Sequence, residues 1–409
     1  MKYVVLLGDG MADWAVESLG GKTPLAHAKT PHMDRIAREG TLGLIDTVPT
    51  GMKPGSDVAI LSVLGYDPAV CYTGRGPLEA ASMGVHLDPG DLAFRCNLVA
   101  LGDGADPVME DFTAGHITSE EAREIILDLD RNMGTAALKF YPGVGYRHLL
   151  VWKGGGPEVE TTPPHDITGQ ATAGYLPKGK GAEAVLGVML RSREVLKGHP
   201  VNRKRDGAGK KQATSIWLWG QGGKPAMEPL SKKYGLSGGM ISAVDLLNGL
   251  GVYAGLEILK VPGATGYIDT NYAGKAEKVL EALGEKDFVF VHVEAPDEMG
   301  HEGNLDGKVK AIEDFDEKVV GTVLKSIGRF GDYRVLVLSD HPTPIAKRTH
   351  TAEPSPFAVL CSRQEDNVQG AAGYSEEAAR RGGIVVSPGC RLMEGFLRDW
   401  RRFIEDRRR

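Results

Sequence analysis

Residues 287–303, DFVFVHVEAPDEMGHEG, begin as an apolar strand and then set down Glu294, Asp297, Glu298 and His301 within eight residues. Acids in a loop are ordinarily just solvated, since carboxylates are mostly exposed. Three distant segments repeat the pattern, however: Asp9 in LLGDG, the pair Asp340 and His341 in VLSDHP, and His350 in KRTHTAEPSPF. Together they supply three aspartates and three histidines. A mixed oxygen and imidazole set suits Mn²⁺, Zn²⁺ or Fe better than Mg²⁺ or Ca²⁺. Six ligands are too many for one tetrahedral ion and about right for two. Taken singly, Asp-x-x-x-His is a weak signal that reads more readily as a capping aspartate and a surface histidine, and His350 as an ordinary loop histidine. Their joint placement, each just past a strand of one expected sheet, favours a shared site.

A nucleophile is available for such a site. Ser56 follows Pro54 and Gly55 and precedes DVAILSVLGY, where Val58, Leu61 and Leu64 keep helical spacing. The spacing predicts Ser56 at or near a helix N-cap. A plain capping serine is the structural alternative. The functional one is a hydroxyl beside free backbone N–H groups and a positive dipole end, which stabilise an alkoxide or a bound phosphate. A neighbouring cation would ionise that hydroxyl and make it phosphorylatable.

The elements that position these residues follow from the apolar runs. KYVVLLGDG, FVFVHVEAPD and YRVLVLSDH each carry an unbroken apolar run that ends in acids or histidines, and SIWLWGQG ends on glycine. Continuous runs of this kind are strands covered on both faces. Val309, Ile312, Phe315, Val319, Val323 and Ile327 keep helical spacing between two of them, which makes a βαβ unit. The fold class expected is α/β, a mostly parallel sheet flanked by helices, whose functional crevice lies at the carboxyl ends of the strands. From about Pro77 to about Lys211 the Gly and Pro density rises and short alternating stretches appear. We read an inserted smaller α+β domain over 78–211 and a discontinuous core domain over 1–77 and 212–409, with a ligand cleft between the two bodies. Hinges near 76–78 and 208–213 would let them close on a substrate.

Composition narrows the partners. The chain has 409 residues, 25% charged and 42% hydrophobic, with a net charge of −6. That length exceeds one core, and the mild acidity gives no reason to expect nucleic acid. The basic RDWRRFIEDRRR is read as a solvated helix end or tail. No apolar run approaches about 18 residues and no leader pattern opens the chain, so the expectation is a cytoplasmic protein without a membrane segment. Cys71, Cys96, Cys361 and Cys390 are scattered without a CxxC pair and read as reduced thiols.

The motifs GDGMAD, KPGSDVA, YTGRGPLEAASMG, FRCNLV, HDITG, APDEMGH and LSDHPTP…RTHTAEPSPF occur in an ordered set over nearly the whole chain. This set resembles the archaeal-type, cofactor-independent (2,3-bisphosphoglycerate-independent) phosphoglycerate mutases of the alkaline phosphatase superfamily. The resemblance implies an alkaline-phosphatase-like core and interconversion of 3- and 2-phosphoglycerate, a step of glycolysis and gluconeogenesis, through a phosphoserine on Ser56. It also implies two divalent metals, manganese first, with Zn²⁺, Co²⁺ or Mg²⁺ as alternatives. Asp9, Ser56, Asp340 and His341 would hold one metal, and Asp297, His301 and His350 the other. Glu294 and Glu298 would flank the site or face solvent. For the substrate, Arg75, His116, Arg147, His165, Asp166 and Arg203 are the candidates in the inserted domain, because Arg and His suit carboxylate and phosphate. Arg205 is the alternative to Arg203 within NRKRDG. The bacterial branch's phosphate-binding lysine has no counterpart, since VPGATGYIDTN carries Ala-Thr-Gly with Lys260 upstream. A homoserine kinase-like phosphotransferase, a metal-dependent phosphomonoesterase, or a non-catalytic scaffold with an incidental metal site would share these motifs. The absence of a GxxxxGK[ST] loop and the retention of Ser56 favour the mutase. The oligomeric state is not legible.

Overall fold

The computed structural model describes residues 1–368 and 370–407, which leaves the last two arginines of the basic tail outside the described residues. The chain divides into two compact units, 1–72 with 226–409, and 73–225.

Among the described residues, the first unit holds an eight-stranded sheet. Its order is Glu257–Ile258, Gly238–Ile241, Phe288–Val293, Lys2–Gly8, Tyr333–Leu338, Ser355–Cys361, Thr41–Ile45 and Val385–Val386. Neighbours run parallel except at Ser355–Cys361, which is antiparallel to both of its partners. The central strands are buried on both faces, which is why they read as unbroken Val, Leu, Ile and Phe runs. The helical pattern after residue 304 is interrupted: Leu305–Asp314 is α-helical, Phe315–Val320 is a π segment, and Gly321–Ser326 resumes the α-helix. The wider π turn keeps Phe315, Val319, Val323 and Ile327, four apart, on one buried face. It also aims Asp316 at the start of the Pro31–Glu39 helix, where its carboxylate accepts from the backbone N–H groups of His32 and Met33 at 3.1 and 2.7 Å.

The second unit is an antiparallel sheet with helices, the α+β pattern expected of the insertion. Leu92–Leu101 is its central strand, flanked by Arg147–Trp152 and Ser215–Gly222. The helices Ser119–Met133 and Ala182–Leu196 cover it and share its apolar core. Thr118 and Glu121 close a capping box at the first of these helices. The unit boundaries fall at 72/73 and 225/226, where the sequence reading set them at 77/78 and 211/212. Each shift has its own physical cause. SIWLWGQG reads as a core strand because it is an unbroken apolar run, yet it pairs with Leu92–Leu101 and carries the boundary downstream. On the other side the short helix Arg75–Ser82 packs on the same strand and carries Arg75 and Gly76 into the second unit.

Candidate metal centre

Strand register brings the acids and imidazoles together. Leu7 lies opposite His292 on one side and Leu338 on the other, so three strands end at one level. The residues that follow them, Asp9, Glu294 to Asp297, and Asp340 with His341, leave the sheet side by side. Gly10 makes the first turn, with φ +59; a Cβ there would lie 2.5 Å from Asp297 Oδ1, so the approach needs glycine.

Asp9, Asp340 and His341 form one cluster, all fully buried. His341 Nε2 lies 3.5 Å from Asp9 Oδ1 and 3.3 Å from Asp340 Oδ2. Neither of those oxygens has a hydrogen-bond partner. Buried oxygens left without partners are rare and call for an explanation. Ser56 completes the set, its Oγ 3.2 Å from the same His341 Nε2. Ser56 is the first residue of the Ser56–Val63 helix and Gly55 occupies the cap, so its side chain makes no capping bond.

Asp297, His301 and His350 form the second cluster. Asp297 and His301 lie on the helix Ala295–Glu302, whose i,i+4 geometry puts them on one face. His301 Nε2 is 3.2 Å from Asp297 Oδ2 and 2.9 Å from His350 Nε2, while His350 Nε2 is 3.5 Å from Asp297 Oδ1. On the far side of its ring, His301 Nδ1 stands 3.0 Å from the carbonyl oxygen of Arg348. Nδ1 must donate there, so Nε2 is the nitrogen turned to the cluster: the hydrogen bond to Asp297 raises the ring's pKa to about 9, so Nε2 carries a proton toward that carboxylate and offers its lone pair once the proton leaves. Arg348 holds that carbonyl from a left-handed backbone, φ +56, uncommon for a non-glycine residue. The His341 and His350 rings, 4.2 Å apart between centroids, bring the two clusters into contact.

Charge balance points the same way. Burial pushes Asp9 well above the usual carboxylate range, and the neighbouring Asp340, Glu294 and Asp297 push it further. Glu294 is raised well above its ordinary value by burial and by Asp297, Glu298 and Asp340. Asp297 is the exception: burial opposes its ionisation, but hydrogen bonds to His301 and His350 outweigh that and hold it well below its ordinary value. Carboxylates crowded into a buried site with imidazole nitrogens turned to them are a donor set for divalent cations, which would take the place of the protons held there.

Two residues here escaped the sequence reading. His292 lies within a buried strand, its Nε2 2.7 Å from Asp9 Oδ2 and 3.2 Å from Glu294 Oε2, and burial depresses its pKa to about 3. With Asp9 and Glu294 it makes a third group of metal-ligating type. The signal was one imidazole inside FVFVHV. Glu294 was expected to flank the site or face solvent, yet its side chain is 15% exposed and leans into this group. The other residue is Thr343, whose hydroxyl donates to Asp297 Oδ1.

The second unit gathers part of the expected substrate set. Arg95, in FRCNLV but not singled out from sequence, pairs with Glu79 at 2.7 Å and stacks over Trp219 at 4.3 Å. Its Nε is buried without an acceptor. Burial lowers the Arg95 pKa; Glu79 opposes this, and Arg75 and Arg147 add to it. His165, its ring 5.3 Å from Trp219, is lowered by burial, with Asp166 opposing and Arg75 and Arg95 adding. Arg75, Arg95, Arg147, His165 and Asp166 therefore share one neighbourhood. His116 and Arg203 do not join it by any hydrogen bond or ion pair among the described residues. His116 sits exposed at the end of the left-handed turn Ala114–His116, and Arg203 is exposed on the helix Pro200–Gly207. Arg205 is buried, donating to the carbonyls of Ala114, Gly115 and Lys211 and pairing with Glu121, so it serves the fold.

Among the described residues, no helix is long and apolar enough to cross a membrane. A family model described as 2,3-bisphosphoglycerate-independent phosphoglycerate mutase matches residues 37–202. A probable enzyme of that name from Geobacter sulfurreducens is 56% identical over 97% of this chain and all of its own length. A Methanosarcina barkeri enzyme of that name is 53% identical, covering 94% of this chain and 96% of its own. Among solved structures, the cofactor-independent phosphoglycerate mutase of Thermoplasma acidophilum is 25% identical with a TM-score of 0.67, covering 96% of this chain and 98% of that one. A Pyrococcus horikoshii protein superposes with a TM-score of 0.80 at 28% identity, covering 97% of each chain.

Proposed function

The chain belongs to the 2,3-bisphosphoglycerate-independent phosphoglycerate mutase family, and we propose that it interconverts 3- and 2-phosphoglycerate with Ser56 as transient phosphoryl carrier. The observation that carries this reading is the placement of Ser56 Oγ 3.2 Å from His341 Nε2, beside two buried carboxylate oxygens without partners. Asp9, Ser56, Asp340 and His341 are assigned to one divalent cation and Asp297, His301 and His350 to another. Such cations, Mn²⁺, Zn²⁺ or Fe by this ligand mixture and manganese first by the family resemblance, would supply neutralisation of the phosphoryl oxygens and ionisation of the serine hydroxyl.

Ser56 Oγ attacks phosphorus in line, so the Oγ–P bond forms as the bond from phosphorus to the C3 oxygen of glycerate breaks. The proton lost by Ser56 is matched by the one gained at the released C3 oxygen. Glycerate then offers its C2 hydroxyl, whose oxygen bonds phosphorus as the Oγ–P bond breaks, and Ser56 regains its proton. Holding glycerate between the two steps is what separates isomerisation from hydrolysis. Arg75, Arg95, Arg147, His165 and Asp166 are assigned to the substrate's anionic and hydroxyl groups; His116 and Arg203 are not. The four free cysteines support a reducing, cytoplasmic setting.

The test is an assay of metal-stripped protein with and without added Mn²⁺, offered 3-phosphoglycerate without bisphosphoglycerate. Formation of 2-phosphoglycerate only with metal, abolished in Ser56→Ala, is expected. Release of inorganic phosphate alone, ADP formed only from ATP plus homoserine, or turnover retained by Ser56→Ala overturns the reading.

A further inference from the structure

Among the described residues, Thr343 is the one whose hydroxyl is seen to touch both clusters. Its Oγ1 donates to Asp297 Oδ1 and lies 3.3 Å from His341 Nδ1. An ionised carboxylate can only accept, so the single hydroxyl proton goes to Asp297 and the oxygen lone pairs face His341. The bond from the ring must then be Nδ1–H donating to Oγ1. That leaves the lone pair of His341 on Nε2, the atom nearest Ser56 Oγ, Asp9 Oδ1 and Asp340 Oδ2.

The protein fixes this hydroxyl from every side. The Thr343 backbone N–H donates to the Ala12 carbonyl at 3.1 Å, and its carbonyl accepts from Lys308 Nζ at 2.8 Å. Two glycines clear its space: a Cβ on Gly10 would lie 2.6 Å from Oγ1, and one on Gly300 would lie 2.8 Å from Cγ2. Gly10 comes from the Asp9 loop and Gly300 from the Asp297 helix, so segments of both clusters close on one side chain. Thr343 is fully buried, and a position so constrained holds one rotamer.

We propose that Thr343 is a positioning residue coupling the two cation-binding clusters, its hydroxyl fixing His341 as the Nδ1–H tautomer while anchoring Asp297. The proposal rests on reading these clusters as cation sites. Histidine ligands take their tautomer from whatever their other ring nitrogen bonds. Here that partner is itself bonded to a ligand of the second cluster, so disturbing it weakens both sites together.

The test uses the full chain, metal-free, with ¹⁵N-labelled histidine. The His341 resonances, identified by their loss in His341→Gln, show a protonated Nδ1 and an unprotonated Nε2. Thr343→Val removes the hydroxyl and shifts that tautomer population. Calorimetry with Mn²⁺ then shows both sites weakened about 10- to 100-fold, and Thr343→Ser restores both. A wild-type His341 protonated on Nε2, a Thr343→Val protein that binds two cations as the wild type does, or weakening of one site alone overturns the proposal. If Thr343→Val does not fold, the wild-type spectrum decides. A wild-type protein that takes up no Mn²⁺ overturns the cation reading itself, a different failure from Mn²⁺ uptake with the wrong tautomer.

Discussion

Lys308 is the side chain on which the two ligand loops converge. It is fully buried, and its Nζ donates to Asp13 Oδ2 at 2.7 Å, to the Thr343 carbonyl at 2.8 Å and to the Ala12 carbonyl at 3.3 Å. Asp13 answers from the other loop, accepting from the backbone N–H groups of Trp14 and Ile345. Burial lowers the Lys308 pKa and Asp13 resists the change. Lys308→Met keeps the aliphatic packing and removes the charge, stranding a buried carboxylate and two carbonyls. Breaking a buried pair by deleting one partner costs about 3–5 kcal/mol. The two backbone donors that Asp13 keeps place the expected loss near the lower end, about 3 kcal/mol, or more than a hundredfold in the opening equilibrium. Hydrogen exchange read by mass spectrometry in a urea series measures it segment by segment. Residues 10–14 and 341–346 exchange faster in Lys308→Met, and the sheet of the second unit does not. Adding Asp13→Asn, which removes the stranded charge, recovers part of the loss. A loss below about 1 kcal/mol, the scale of an exposed pair, or a double variant no better than Lys308→Met, refutes the argument that the buried charge pair holds the loops.

Two further outcomes follow from the second unit. Burial depresses His148 to about 3, below its ordinary 6.5, with Arg147 adding to the effect. Between those values the unfolded chain binds a proton that the folded chain refuses, so His148 lowers stability as pH falls from about 6.5 toward 3, by up to about 1.4 kcal/mol per pH unit. His148→Gln is expected to show a shallower acid limb in urea midpoints recorded across that range; an unchanged limb contradicts the assignment. Arg205→Met removes a buried guanidinium bonded to three carbonyls and Glu121. It should destabilise the second unit by about 3–5 kcal/mol in denaturant titrations, while KM for phosphoglycerate stays at the wild-type value where the variant is folded. A KM effect without loss of stability would return Arg205 to the substrate set.

Local patterns carried much of this protein's design. A strand covered on both faces reads as an unbroken apolar run, and the residues just past its end lie at the sheet's carboxyl edge; Asp9, Asp340 and His341 were legible for that reason, and Asp297, on the helix that follows Phe288–Val293, by its spacing to His301. Ser56 was legible from the Pro-Gly before it and the helical spacing after it. Partnership across the fold was not legible. His292 bonds Asp9 from 283 residues away, and Thr343 reaches Asp297 across 46. Nothing next to either residue signals those meetings, because strand order and register create them. SIWLWGQG announced a strand, but which sheet it joined depended on hydrogen bonds to Leu92–Leu101, outside its own periodicity. Arg95 and Arg205 are both arginines in unremarkable surroundings. One is left with a buried donor beside Arg75 and Arg147, and the other is consumed by backbone carbonyls. Residue type and spacing thus determined which groups could do chemistry; tertiary packing, through desolvation and enforced proximity, decided which of them meet.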